Sequence, residues 1–191
     1  TQITTHAGGT IDADVSGQTL YIDPNANDLV NQGIMQASGG GILRLQGATY
    51  TNTGGTIQAL DGSSVQLEAA RIVGGTVSTD GSGVMETVSW GALQDLAITS
   101  TVRVNNGDDL YLEGTINNAG TIAVNATSAS TDLRIEGEVT LTGGGEIVLN
   151  SGAARLFDEN DPMEGRLINE GNTLGGNGQL GAGRLIEVVS N

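Results

Sequence analysis

Gly55-Thr56-Ile57-Gln58-Ala59-Leu60-Asp61-Gly62-Ser63, with the Val65-Gln66-Leu67 that follows, decides the fold. Ile57-Gln58-Ala59 and Val65-Gln66-Leu67 each alternate apolar, polar, apolar, the period-two signature of a strand with one buried face. Asp61-Gly62-Ser63 between them reads as a turn. The opening phrase, a glycine, a polar residue and then Ile or Val, returns as Gly9-Thr10-Ile11, Gly75-Thr76-Val77, Gly114-Thr115-Ile116 and Gly120-Thr121-Ile122. Looser copies are Gly137-Glu138-Val139 and Gly145-Glu146-Ile147. Such recurrence marks a solenoid, in which each repeat buries its apolar face only by stacking on its neighbours.

Laid out in register, one strand series begins at Ile11, Met35, Ile57, Val77, Val102, Ile122 and Ile147, with steps of 24, 22, 20, 25, 20 and 25 residues. A second follows at Leu20, Leu43, Val65, Leu110 and Leu133, and a weaker third at Leu29, Tyr50, Ile72, Ile116, Val139 and Leu167. Three short strands per turn predict an all-β chain: a single parallel, right-handed β-helix over residues 1–191, of about eight rungs and near 40 Å long at ~4.8 Å per rung. The rival architecture is a β-sandwich, whose strands do not keep such a register.

Composition agrees. There are 31 glycines and two prolines in 191 residues, as expected where glycine supplies corners and proline would break a ladder. Asn31, Asn52, Asn118, Asn125, Asn150 and Asn169 fall just after strand segments, where left-handed backbone and local side-chain bonds are expected of them. The stretch Val84 to Ile98 comes closest to a helical pattern and is broken by Gly91.

Seven arginines, no lysine and 22 acids give a formal charge of −15. Nucleic-acid and anionic-membrane binding need a basic footprint that this chain lacks, and no apolar run is long enough for a transmembrane helix. Cysteine is absent, so disulfide and thiol chemistry are excluded. A cysteine-free, acidic chain rich in Gly, Thr and Asn suits a secreted protein.

The segments Leu29-Val30-Asn31-Gln32-Gly33, Gly54 to Ser63, and Asn169-Glu170-Gly171-Asn172-Thr173-Leu174-Gly175-Gly176-Asn177-Gly178 resemble repeats of filamentous-haemagglutinin-like and autotransporter-passenger β-helices, which are large bacterial surface proteins. The resemblance implies an extracellular or cell-surface rod, structural and often adhesive, with host or matrix glycans as candidate partners. It supplies no catalytic residue.

The chemistry-bearing residues are few. His6 is the lone histidine and has no evident catalytic partner. The acidic run Asp158-Glu159-Asn160-Asp161-Pro162-Met163-Glu164 reads as a solvent loop. Its acids could serve glycan hydrolysis, but the aromatics read as scattered and give a sugar no platform. No catalytic site is therefore expected, and a polysaccharide-processing or tailspike-like enzyme is the alternative. Asp23, Asn25, Asn27 and Asp28 carry oxygens at near-alternate positions of a tight loop and are candidate ligands for Ca2+, as in a calcium-stabilised adhesin fragment; no other cofactor is indicated. The outward positions Tyr21, Arg44, Gln66 and then Tyr111, Arg134 suggest one ladder with Arg stacked on Tyr.

Neither end shows the pattern of a cap. The sequence therefore predicts head-to-tail self-assembly, with Leu185, Ile186, Val188 and Val189 of one copy pairing with the region of Ile3, Thr5 and Ile11 in the next; the rival reading is a window of a longer solenoid, in which the same contact is covalent continuity. A heterologous contact of that kind does not close and makes a filament.

Overall fold

In the computed structural model, which describes residues 2–24, 27–158, 165–182 and 187–190, the regular structure of the described residues is entirely β. All strand pairs are parallel, and the chain winds as a β-solenoid of about eight turns around three faces. The first face stacks Ile3–Thr5, Leu29–Asn31, Thr49–Thr51, Ala70–Val73 and Trp90–Gln94. It continues through the first halves of Asp109–Asn118 and Thr131–Thr142 to Ala154–Asp158 and Gln179–Leu180. The second face runs Thr10–Ala13, Ile34–Ala37, Thr56–Ala59, Thr76–Thr79 and Ala97–Ile98. It then takes the second halves of the two long strands and ends on Arg166–Asn169 and Glu187–Ser190. The third face is an 8-stranded sheet from Thr19–Ile22 to Thr173–Gly176.

The two long strands turn the corner between the first and second faces without interruption. Gly114 and Gly137, both at positive φ, mark the bend, and the register shifts there by a bulge.

The register departs from the sequence reading after Val77. Val77 stacks on Ile98, whereas Val102 stacks on Met85 and Ile122, one face further on. Val84 to Ile98, the stretch with the most helical pattern, holds three strands, Val84–Thr87, Trp90–Gln94 and Ala97–Ile98. From there the Gly-x-Ile phrase changes corner. Gly9, Gly33, Gly55 and Gly75 precede second-face strands, while Gly120 and Gly145 precede third-face strands. The phrase encodes a tight corner followed by an inward apolar residue, and the fold uses it at more than one corner. Many of these glycines are required by close stacking. A Cβ on Gly33, Gly55 or Gly120 would fall on a backbone carbonyl oxygen of the turn beneath, although their φ angles are ordinary.

Inward residues form continuous columns. Ile57, Val77 and Ile98 on one face and Leu43, Val65 and Met85 on another are fully buried. Truncating Ile57, Ile98, Leu43 or Met85 to alanine should cost about 2–5 kcal/mol, read by chemical denaturation. Tyr50 lies in the same core and donates its hydroxyl to the Ile22 carbonyl at 2.6 Å; burial raises its phenol well above the ordinary range.

The corner asparagines do not adopt left-handed backbone, because the positive-φ residues other than glycine are Ala69, Asp95 and Ala182 among the described residues. Instead the amides stack inward. Asn31 and Asn52 are completely buried, with Asn31 Nδ2 donating to Asn52 Oδ1 at 2.7 Å. Asn118 donates to Asn172 Oδ1 at 3.1 Å at another corner. An amide satisfies buried corner carbonyls that the sheet ladder leaves unpaired. Asn125 and Asn150 bond each other at an exposed corner.

Candidate functional site

The residues singled out from sequence go to separate places. In the proposed calcium loop, which joins the third face to the first, Asn25 lies outside the described residues. Asp23, Asn27 and Asp28 are exposed. Asn27 N–H donates to the Pro24 carbonyl at 3.2 Å, and Asp28 Oδ1 accepts from Thr49 N–H at 3.2 Å. His6 is exposed at the turn where Gly9 N–H donates to its carbonyl.

The acidic run divides. Asp161 lies outside the described residues, while Asp158 is buried rather than in a solvent loop. Asp158 continues the inward column of Leu93, Leu112 and Ile135 and accepts from Gly165 N–H at 2.9 Å. Its placement is that of a buried corner clamp.

The predicted assembly residues split over two faces. Ile3 and Thr5 belong to the first face, whose last strand is Gln179–Leu180. Ile11 belongs to the second, whose last strand Glu187–Ser190 carries Val188 and Val189. Leu185 and Ile186 lie outside the described residues. Leu180 thus shares the first face with Ile3, and Val188 shares the second face with Ile11, four residues upstream of the Ile11 column in the strand register.

The outward ladder of Tyr and Arg is two ladders. Tyr21, Arg44, Gln66 and Glu86 stack on the third face, with Arg44 over the Tyr21 ring at 5.5 Å. Arg71, Ala92, Tyr111, Arg134 and Phe157 stack on the first. The aromatics are thus not scattered, since Trp90, Tyr111 and Phe157 share one lateral face. In its upper part Arg134 lies between Tyr111 and Phe157, at 5.5 and 5.3 Å from the ring centres. Arg155 forms a two-pronged pair with the buried Asp132, both contacts at 2.6 Å. This hydrogen-bonded carboxylate raises the Arg155 guanidinium further.

Lower on the same face, Trp90 is 39% exposed and meets Tyr111 edge to face at 6.1 Å. The column beneath Trp90 holds Ala69 and Gly47, because Ala70 pairs with Gly91 and Arg71 with Thr49. These small residues, with Ala48, floor an open trough of about 410 Å³, bounded by Trp90, Arg71, Thr49 and Asp28. A second hollow of about 200 Å³ lies between Trp90, Tyr111, Arg71 and Glu136. Arg71, bonded to Glu113 and 3.9 Å from Glu136, lines both hollows, as does Trp90. Sequence periodicity missed this site because it assigned no strand between Val84 and Ile98 and so left Trp90 without a face.

At a neighbouring corner Asp108 accepts from the Thr87 hydroxyl at 2.8 Å. Desolvation raises its carboxyl above the usual range; the Thr87 bond opposes this, and the Glu86 charge adds to it. The folded chain then holds this proton more tightly than the unfolded one, so stability falls as pH climbs from the ordinary carboxylate value through the raised one. Asp61 has the opposite sign. The backbone N–H and hydroxyl of Ser82 hold it below the usual range, so its contribution is present above the ordinary value and lost as pH falls through the lowered one. Asp108→Asn keeps an acceptor for Thr87 and removes the charge. It should raise the melting temperature at neutral pH and give no gain below the carboxylate range, which calorimetry at the two pH values checks.

Compared with models of protein families, with curated proteins and with solved structures, the chain matches none.

Proposed function

We propose that this chain is a structural β-solenoid rod, working outside the cell or at the bacterial cell surface as a head-to-tail filament subunit or adhesin stalk segment. The observation that carries the reading is that the first and last described turns place strands on the same faces. Ile3–Thr5, Thr10–Ala13 and Thr19–Ile22 at one end, and Gln179–Leu180, Glu187–Ser190 and Thr173–Gly176 at the other, place strand edges on the same three faces. The first and last described turns carry exposed apolar side chains, Ile3 at 39%, Leu20 at 38% and Leu180 at 56%. A translated second copy adds a strand to each edge and covers these side chains, the arrangement by which open edges propagate.

The ends and lateral faces do the work, and no catalytic step is assigned. A glycan-degradation screen is expected to give no turnover, and turnover abolished by Asp158→Asn in a folded variant would contradict it. The calcium reading of the Asp23 to Asp28 loop rests on its chemistry; a melting temperature raised by millimolar calcium would support it.

Electron microscopy of the purified chain tests the assembly. The expected result is rods that lengthen with concentration and with salt, since copies of formal charge −15 repel and salt screens them. Val188→Lys should leave the β-type circular dichroism intact and shorten the rods to single units. Monodisperse monomers at every concentration, or rods indifferent to Val188→Lys, would contradict it.

A further inference from the structure

We infer that the trough beside Trp90 is a binding site for an uncharged saccharide of one or two rings. The inference deepens the adhesive part of the proposed function, and it holds or fails independently of end-to-end assembly. Concave sites with a large apolar wall and a few placed polar groups are where small ligands bind. This one combines an exposed indole with a guanidinium, a hydroxyl and a carboxylate, from Arg71, Thr49 and Asp28. A pyranose has the matching surface, a C–H face that packs on an aromatic ring and a rim of hydroxyls that both donate and accept.

Charge selects against an anion. Arg71 lines both hollows but is already paired with Glu113 and Glu136, so it offers N–H donors to a ligand's oxygens rather than a free positive charge. Asp28 and Glu136 at the borders, on a chain of formal charge −15, repel a polyanion. A neutral polyol with an apolar face is the ligand that uses the indole, the N–H and hydroxyl donors and the carboxylate acceptor together, and the tetralysine titration below decides between it and a cation. The strand register builds the space, because Ala69 and Gly47 leave about two rungs, ~10 Å, of the Trp90 column without a large side chain. Asp28 also accepts from the Thr49 backbone, which fixes its carboxylate at the trough border.

Trp90 is the only tryptophan, so emission excited at the red edge reports on this site alone. The full chain is titrated with neutral di- and tetrasaccharides of glucose, galactose and N-acetylglucosamine, and in parallel with heparin and with tetralysine. The expected result is a saturable blue shift and a several-fold loss of acrylamide quenching with at least one neutral sugar. Asp28→Asn should weaken that response at least tenfold, and Thr49→Phe, which fills the trough with a good strand former, should abolish it with circular dichroism unchanged. Isothermal calorimetry on Trp90→Ala should show the binding heat lost while the β-type circular dichroism is unchanged. Absence of a saturable response to any neutral sugar, a response retained in Thr49→Phe, or a response to tetralysine or heparin alone would each overturn the inference.

Discussion

Asn52→Ala is expected to lower the unfolding free energy by roughly 3 kcal/mol, a loss far beyond that of an ordinary corner substitution. Asn52 is completely buried and serves three partners at once. Its Oδ1 accepts from Asn31, and its Nδ2 donates to the carbonyls of Gly74 and Thr76 at 3.2 and 3.3 Å. Alanine leaves the Gly74 carbonyl without its side-chain donor in a space too tight for the chain to reopen to water, and it adds a small cavity. The same change at Asn125 or Asn150, which bond each other at an exposed corner, should cost about 0.5 kcal/mol or less. Chemical denaturation of the three variants checks the ranking; equal losses would mean that the buried amides are not what closes the corners.

Gly75→Ala should be worse still, at about 4 kcal/mol, from two additive causes. Gly75 has φ of +69°, and a Cβ there would fall on the Asn52 carbonyl oxygen of the turn beneath. Gly54, at +81°, has nothing within 4 Å of its would-be Cβ, so Gly54→Ala isolates the backbone cost of about 1 kcal/mol. The difference between the two measures how tightly successive turns press on each other. A Gly75→Ala chain as stable as Gly54→Ala would mean that the turns are not in contact at that corner.

The same two residues explain what the sequence could and could not reveal. Period-two alternation is a local property, so segments such as Ile57-Gln58-Ala59 and Leu43-Arg44-Leu45 were legible as strands facing one core. The Gly-x-Ile phrase was legible as a corner because only glycine tolerates a carbonyl where Cβ would sit. Which corner it marks is not local. It depends on the strands between two copies, and the two-residue strand Ala97–Ile98 carries too little pattern to be counted. That single omission moved every later strand by one face and merged two outward ladders into one. The stacking of Arg on Tyr survived the error, because Tyr21 with Arg44 and Tyr111 with Arg134 each lie within a correctly read pair of turns. The buried amides were read as local turn formers because a corner asparagine looks the same whether its side chain points out or in. Trp90, Arg71, Thr49 and Asp28 come from four successive turns, so nothing in their spacing draws them together until the register is known.

The register itself is the claim on which the rest depends, and a chain without cysteine offers a clean background for testing it. Thr76 pairs with Ala97 on the second face, at the ~4.8 Å spacing of neighbouring strands, within reach of a disulfide. The uncorrected register would pair Thr76 with Thr101, which lies on the third face. Thr76→Cys with Ala97→Cys should oxidise rapidly to an intramolecular disulfide in the folded chain, and Thr76→Cys with Thr101→Cys should remain as two free thiols. The reverse outcome, or equal reactivity of both pairs, would contradict the solenoid register described.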